Sequence, residues 1–397
     1  MEKYEGTGLV KLFKKIQYRM RYFDWWIAIL VLALMSFGSV MSFSASAGML
    51  TGTPSGTLFK QLSFYLMAFI MMLVGYHASK KWIDSLGAIA YMMYFISLFL
   101  LLTTFFFPPI NGARGWIVLG PISIQPVELY KVCLILWGSF AMTRNHDNKY
   151  NFIHLGWIRF AFVCVILFLF PDTGGFIITT GIMAVIILAS GVKKRFSVIV
   201  ITGVILIWQV GLRALEPILS LSTHYSLQRF TAYLNPWKYA QTTGNQVINS
   251  YYAISNGGLF GRGLGRSLQK NSNLPEPNTD FIMAVVSEEM GAIGVALVVI
   301  ALVIISWRLI YFAFRTPSMR YRLLLVGSAS YLLLQIIVNL GGVVGALPIT
   351  GVTFPLISVG GSSILSLGLM FAIDLNVIKQ IKIEKELYLA DKKKGQA

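Results

Sequence analysis

The sequence predicts an all-α polytopic membrane protein with ten transmembrane helices, both termini cytoplasmic, and one large extracellular loop between helices 7 and 8. Three observations carry this expectation. Of 397 residues, 56% are hydrophobic and only 12% charged, against roughly a quarter charged in soluble domains. Ten apolar runs approach the roughly 20 residues that a hydrocarbon core of about 30 Å demands: 24–46, 58–77, 83–107, 126–143, 153–170, 173–191, 196–213, 281–311, 322–346 and 353–378. With both termini inside, 24 of the 33 Lys and Arg fall on the cytoplasmic side or at its margins, as the positive-inside bias requires.

Each element has its own warrant. The first run is too long for a cleavable signal peptide and lacks a clear cleavage site. The basic segment 9–23 before it reads either as an amphipathic stretch on the inner leaflet or as a charged flank that fixes orientation. Runs five and six are separated only by Pro171-Asp172, a tight hairpin. The loop at about 214–280 is far longer than a helix connection needs. Its aromatics, among them Tyr233, Trp237, Tyr251, Tyr252 and Phe260, are too many for disorder, so a folded lid on the outer membrane surface is expected. The domain layout is therefore a basic segment 1–23, a ten-helix membrane domain 24–378 and a basic cytoplasmic tail 379–397.

The net charge is +17, and the cytoplasmic side, with nine of the 16 acids, carries +15 of it. Topology and attraction to anionic lipid account for that share, with no nucleic acid as partner. Cys133 and Cys164 both lie in apolar runs, and the four histidines have no ligand spacing, which argues against a disulfide framework or a Cys- or His-based metal site.

Ionisable groups away from the cytoplasmic margins are functional candidates by default, and three clusters stand out. Asn111-Gly-Ala-Arg114 leads to Gln125, Glu128 and Lys131 at successive i+3 steps, one polar stripe along the fourth helix. Glu128 and Lys131 either neutralise each other or, with Arg114 and Gln125, line a track for an anionic headgroup. The run Leu274-Pro-Glu276 to Thr279-Asp280 ends where the eighth helix begins. Asp280 reads as an N-cap, where the helix N-terminus by itself makes it a weak base, or as a base whose pKa is raised by burial under a bound lipid substrate, with Glu276 assisting or tuning it. Glu288 and Glu289 follow, about 12 to 14 Å deeper along a straight helix, where two carboxylates need a partner such as Lys131. A proton relay and a structural helix–helix hydrogen bond both fit them. The glycine-rich run 257–266 resembles a phosphate loop only weakly. Its glycines suit tight turns, with Arg262 and Arg266 within reach of lipid phosphates. Gly360-Gly-Ser-Ser363 is explained equally by close helix packing.

Taken in order, these residues resemble the SEDS family (shape, elongation, division and sporulation) of peptidoglycan glycosyltransferases. The resemblance runs from Ser44-Ala-Ser46 through Asn111-Gly-Ala-Arg114, Gln125-Pro-Val-Glu128-Leu-Tyr-Lys131 and Pro171-Asp172 to Arg229 and Asn235-Pro-Trp237. It continues through Ser255-Asn-Gly-Gly, Ser267-Leu-Gln-Lys270, Leu274-Pro-Glu276, Thr279-Asp280, Glu288-Glu289 and Ser358-Val-Gly-Gly-Ser-Ser363. It implies polymerisation of lipid II into glycan strands at the outer face of a bacterial plasma membrane, with undecaprenyl pyrophosphate leaving. Asp280 matches the family's essential outer-loop aspartate and is the expected catalytic base.

Arg114, Lys131, Arg262, Arg266 and Lys270 are the expected cations for the pyrophosphate. Gln125, Glu128, Arg229, Asn249, Ser250, Glu276, Thr279, Glu288, Glu289, Ser358, Ser362 and Ser363 complete the expected substrate site. No cofactor is implied with certainty, and a divalent cation beside the pyrophosphate stays open. The expected partners are lipid II, a class B penicillin-binding protein and other divisome proteins. Asn235-Pro-Trp237 with Gln269-Lys270 places the chain nearer the FtsW-like division branch than the RodA-like elongation branch, hence septal synthesis. Asn278, Asn249, Gly175 and Ser287 depart from the residues the family usually has there. A lipid II flippase is the rival reading, disfavoured because no inverted repeat or pair of broken helices is visible.

Overall fold

The computed structural model describes residues 20–48, 53–109, 115–120, 122–144, 172–191, 225–242, 244–271 and 274–394. Helices stand at eight of the ten predicted span positions: α1 (Trp25–Ser46), α2 (Pro54–His77), α3 (Lys80–Thr103), α4 (Pro126–Arg144), α5 (Thr173–Ala189), α8 (Ile282–Ala313), α9 (Met319–Val343) and α10 (Gly361–Lys394). Six are long and apolar enough to cross a membrane, and α5 is a shorter apolar helix. The runs at 153–170 and 196–213, the segment 1–19, Cys164 and Asn111 to Arg114 lie outside the described residues. The long loop is folded where it is described, into α6 (Tyr225–Leu234), a 3-10 turn (Pro236–Tyr239) and α7 (Gly244–Gly257). A two-stranded hairpin, β1 (Ile117–Leu119) and β2 (Ile122–Ile124), precedes α4, with Ile117 opposite Ile124.

Local chemistry sets the starts of these helices. Thr53, Ser79 and Ser318 accept hydrogen bonds from Gly56 N, Trp82 N and Tyr321 N, each satisfying one orphan donor of a first turn. Pro54 occupies the first turn of α2, where its missing N–H costs nothing. The last helix departs from its predicted range at both ends. It begins at Gly361, not 353, because Ser358 Oγ takes the Phe354 N–H at 2.7 Å and Leu356 sits at φ +61°. It then continues past 378 to Lys394.

Packing follows small residues. α10 lies along α2, and a Cβ added at Gly75 would come within 2.6 Å of Ala372, one at Gly368 within 2.7 Å of Ala68. Such small-residue contacts let helix backbones approach closely in lipid, where apolar burial alone gives no preference for protein over solvent. Asn376 closes the pair by donating to Gly75 O at 2.6 Å. Elsewhere α8 packs on α9 and α1, and α9 on α4 and α5. Asp374, counted above with the cytoplasmic margin, is instead fully buried and accepts from Ser328 Oγ at 2.9 Å.

One end of the bundle gathers a group of ion pairs. Asp24 caps α1 and is fully buried between Arg308 of α8 at 2.9 Å and Lys382 of α10 at 3.1 Å. Lys80 meets Glu384 at 2.9 Å, and Arg21 and Tyr22 reach Glu386. Burial pushes the Asp24 carboxyl up, but hydrogen bonds and charge from Arg308 and Lys382 outweigh it and hold the group below its usual value.

Asp24→Ala is expected to cost about 3 kcal/mol, the lower end of the range for breaking a buried pair, because Arg308 retains some access to solvent. The depressed carboxyl stabilises the fold above about pH 4, the unfolded aspartate value. That contribution is lost as pH falls through the lower folded value. Thermal unfolding in detergent at pH 7 and at pH 3 measures both, and equal losses at the two pH values would remove the electrostatic account.

Candidate active site

The opposite end of the bundle holds a cavity of about 220 Å³, into which five separate segments of chain converge. Glu276, Thr279 and Asp280 come from the loop before α8, Arg229 from α6 and Asp172 from the start of α5. Trp116, Ser123 and Gln125 come from the hairpin, and Thr350, Gly351 and Thr353 from the α9–α10 connection.

Backbone bonds hold the acidic segment. Asp280 O accepts from Asn339 Nδ2 at 2.9 Å, and the same amide donates to Val352 O at 2.7 Å. Ser358 Oγ donates to Thr279 O at 2.6 Å, Val359 N to Asn278 O at 2.9 Å, and Asn278 Nδ2 to Ser46 Oγ at 3.3 Å. Glu276 takes φ +59° and accepts from Thr279 Oγ1 at 3.1 Å. The helix-cap reading of Asp280 is overturned. Phe281 is the N-cap and makes no side-chain cap bond, so the Asp280 carboxylate is left to face the cavity.

There it is half-buried, and its pKa is pushed up to about 6, first by burial, with Arg229 opposing and Glu276 adding. Gly351, at φ +73°, lets the connecting loop pass: a Cβ there would lie 3.3 Å from Arg229 Nη1 and 3.4 Å from Asp280 Oδ2. Asp172 accepts from Gly175 N at 2.8 Å. Burial raises its pKa, against the Gly175 N–H and the Lys131 charge. Gly175 packs closely there: a Cβ would fall 2.7 Å from Asp172 Oδ2 and 2.8 Å from Val127.

Of the predicted residues, Gln125, Arg229, Glu276, Thr279 and Asp280 therefore share one cavity. Gln125 is anchored there by its N–H to Ser362 Oγ at 2.9 Å. Ser358, Ser362 and Ser363 support backbone or, for Ser363, the Gln335 amide. Asp172, Trp116, Thr350 and Asn339 were not singled out as site residues. An acid in an otherwise apolar hairpin was the available signal for Asp172, whereas nothing local marked Asn339.

The other expected cations are placed differently. Lys131 bonds Glu128 at 2.7 Å, both buried, and Tyr331 Oη donates to Glu128 at 2.8 Å, so the mutual-neutralisation reading holds and Lys131 does not partner Glu289. Lys270 does, at 2.7 Å, while also donating to Ser44 Oγ and Gly265 O. Glu288 accepts from Ser267 Oγ, Asn256 Nδ2 and Gln269 N. Arg262 and Arg266 are exposed on the glycine-rich loop and line no part of the cavity. Asn249 bonds Asn245 within α7, and Ser250 ties α7 to Val343 O. Arg114 lies outside the described residues.

The straight-helix depth expected for Glu288 and Glu289 is corrected by a break in α8 at Gly291 (φ 70°, ψ −175°). The glycine-rich loop fills the break. Arg262 N and Gly263 N donate to Glu288 O and Glu289 O at 2.9 and 3.0 Å, while Ala292 N and Ile293 N donate to Gly258 O and Leu259 O. A Cβ at Gly257 or Gly261 would fall 1.9 or 2.2 Å from carbonyl oxygens of the first half-helix, so the glycines serve backbone contact rather than phosphate binding.

A helical bundle with six helices apolar and long enough to cross a membrane, and a cavity at one end lined by a raised aspartate and a guanidinium, defines the class: a polytopic membrane protein. The chain belongs to the family described as Cell cycle protein (FTSW_RODA_SPOVE), which it matches over residues 24–383. It is 34% identical to the stage V sporulation protein E of Bacillus subtilis over 370 residues, covering 89% of this chain and 96% of that one. To the probable peptidoglycan glycosyltransferase FtsW of the same organism it is 35% identical over 398 residues, covering 94% and 96%. Among solved structures, it resembles a chain of a peptidoglycan synthase complex described for its coordination of polymerization and crosslinking, with TM-score 0.73, 27% identity and coverage of 90% and 98%.

If Glu289 and Lys270 are a structural pair, Lys270→Met strands a fully buried carboxylate and is expected to cost about 3 to 5 kcal/mol, and a Lys270→Met/Glu289→Leu double variant less than the single. A double-mutant cycle on detergent-solubilised protein measures the coupling. Additive losses would show that the two groups act separately.

Proposed function

We propose that the chain is a peptidoglycan glycosyltransferase that polymerises lipid II at the outer face of the plasma membrane. The observation that carries this reading is the cavity in which Asp280, raised to about 6, faces Arg229 with Gln125, Glu276 and Thr279 around them. Asp280 takes the proton of an acceptor sugar hydroxyl, and that oxygen attacks the anomeric carbon of the lipid-linked donor. The bond from that carbon to the pyrophosphate oxygen breaks, its electron pair leaves with undecaprenyl pyrophosphate, and the proton remains on Asp280. A base with a pKa near the working pH combines a useful ionised fraction with adequate basicity. Arg229 lines the cavity and stabilises charge on the departing pyrophosphate, whereas Lys131 and Lys270 are not among its lining residues.

The topology follows the same reading: ten spans, both termini cytoplasmic, and the cavity end outward. The ion-paired end at Asp24, Lys80, Arg308 and Lys382 is then the cytoplasmic one, in keeping with positive-inside bias. Relatives named for FtsW and sporulation support septal rather than side-wall synthesis, beside a class B penicillin-binding protein and other divisome proteins. The flippase reading gains nothing from the break at Gly291, since its polar groups are taken by loop backbone instead of lining a passage.

With purified protein, its transpeptidase partner and labelled lipid II, Asp280→Asn is expected to lower glycan polymer on a gel by at least about 10²-fold. Equal polymer from both proteins would overturn the assignment, and lipid II crossing liposomes without polymer would favour transport. Activity should rise with pH through about 6 and then level. Arg229→Ala, which removes the charge that opposes the raised pKa, should move that limb to higher pH. A limb that stays in place would separate Arg229 from the base.

A further inference from the structure

Three successive carbonyls hold the segment that carries Asp280. Val359 N donates to Asn278 O at 2.9 Å, Ser358 Oγ to Thr279 O at 2.6 Å and Asn339 Nδ2 to Asp280 O at 2.9 Å. Two of these donors belong to the turn at 354–359 that leads into α10, so the base stands where that turn stands. The turn is itself under constraint. Leu356 sits at φ +61°, a left-handed conformation that a bulky side chain adopts when its surroundings impose it. Phe354 N donates to Ser358 Oγ at 2.7 Å and Ser358 N to Phe354 O at 3.2 Å, which closes the turn and leaves the carbonyls of Leu356 and Ile357 to other partners.

α2 takes both. Tyr65 Oη donates to Leu356 O at 2.7 Å and Gln61 Nε2 to Ile357 O at 3.2 Å, while the same amide donates to Tyr65 Oη at 2.6 Å. Gln61 and Tyr65 stand one helical turn apart, and both are buried. α1 closes over them: at Gly38 a Cβ would fall 2.5 Å from Tyr65 Oη and 2.7 Å from Leu356 O. Packing alone does not call for these residue types. A buried glutamine among apolar helices is costly, the more so as Gln61 Oε1 finds no hydrogen-bond partner among the described residues, and Leu with Phe would fill similar space without that cost.

We infer that Gln61 and Tyr65 are positioning residues for Asp280. They pin the left-handed turn at Leu356, and through Ser358 and Val359 the turn fixes the backbone of 278–280. Neither side chain lines the cavity, so the pair acts through the turn and not on substrate. Its kinetic consequence rests on the glycosyltransferase reading above: a base shifted by a fraction of an ångström loses rate although substrate still binds.

The test uses full-length protein in nanodiscs. Tyr65→Phe keeps the ring and removes the donor to Leu356 O. Met72→Ala, two turns further along α2 with its side chain in the core, damages packing without touching the clasp. Per folded molecule, Tyr65→Phe is expected to lower kcat for glycan polymer about tenfold with KM for lipid II unchanged within about twofold. The acidic limb of its pH profile should move to lower pH, because a loosened segment relieves the burial that raises Asp280. Gly38→Ala, which presses on the phenol from α1, should give the same signature, and Met72→Ala should lower the melting temperature alone. If Tyr65→Phe also loses melting temperature alone, with kcat and the limb at wild-type values, the pair is ordinary helix packing and the inference falls.

Hydrogen exchange needs no turnover. Amides of 276–281 and 356–359 should exchange severalfold faster in Tyr65→Phe than in wild type or Met72→Ala, and equal exchange in all three would overturn the clasp. Absence of polymer from wild type would sink the glycosyltransferase reading by itself, and exchange at 276–281 would still decide whether Gln61 and Tyr65 hold the segment.

Discussion

The break in α8 at Gly291 is the constraint around which the site end of the molecule is organised. A helix interrupted in a low-dielectric setting exposes carbonyls and N–H groups that hydrocarbon cannot satisfy. Here the backbone of 258–263 supplies the missing partners on both sides of the break. That need explains why the glycine-rich run is glycine-rich: at Gly257, Gly261 and Gly291 any side chain would collide with backbone. Once clasped, the loop must continue past Glu288 and Glu289 through Ser267 and Lys270, and it arrives at Glu276 to Asp280 already positioned. The carboxylates of 288 and 289 thus fasten the loop, through bonds from Ser44, Asn256, Gln269 N and Lys270.

Charges divide by the same logic. In a membrane an ionisable side chain is tolerated where it is paired or where it works. The pairs Glu128–Lys131 and Glu289–Lys270 and the trio Asp24–Arg308–Lys382 are of the first kind, with bonds of 2.7 to 3.1 Å. Asp280 is different in that its backbone is fixed by Asn339 while its side chain makes no cap. Fixing the residue through its carbonyl leaves its carboxylate to the cavity in a constant geometry.

The helical membrane class was legible from composition and pattern, because the bilayer requires long apolar runs that stand out without any knowledge of packing. Asp280, Glu276, Thr279, Arg229 and Gln125 were recognisable from ordered motifs. The misplaced residues share a physical cause. Assigning Lys131 to the buried glutamates assumed that the nearest long cation on a neighbouring span would meet them, and the depth given to Glu288 and Glu289 assumed a straight helix. A positive-φ glycine inside an apolar run looks like any other packing glycine until the loop that meets it is known. Asn339 was invisible for a related reason: its role is to join Asp280 O to Val352 O, two backbone atoms that only the fold brings together.

The spacing between Asp280 and Arg229 decides what the pair can do. A direct, fully formed ion pair would hold the carboxylate well below its ordinary value and make it a poor base. Here Gly351 lies against both, where a Cβ would fall 3.3 and 3.4 Å from the two side chains, and the charge of Arg229 lowers the Asp280 pKa less than burial raises it. Burial and Glu276 therefore win over the guanidinium, and the aspartate settles near 6. A left-handed glycine lying against both side chains is thus part of the site's geometry, alongside the charges themselves.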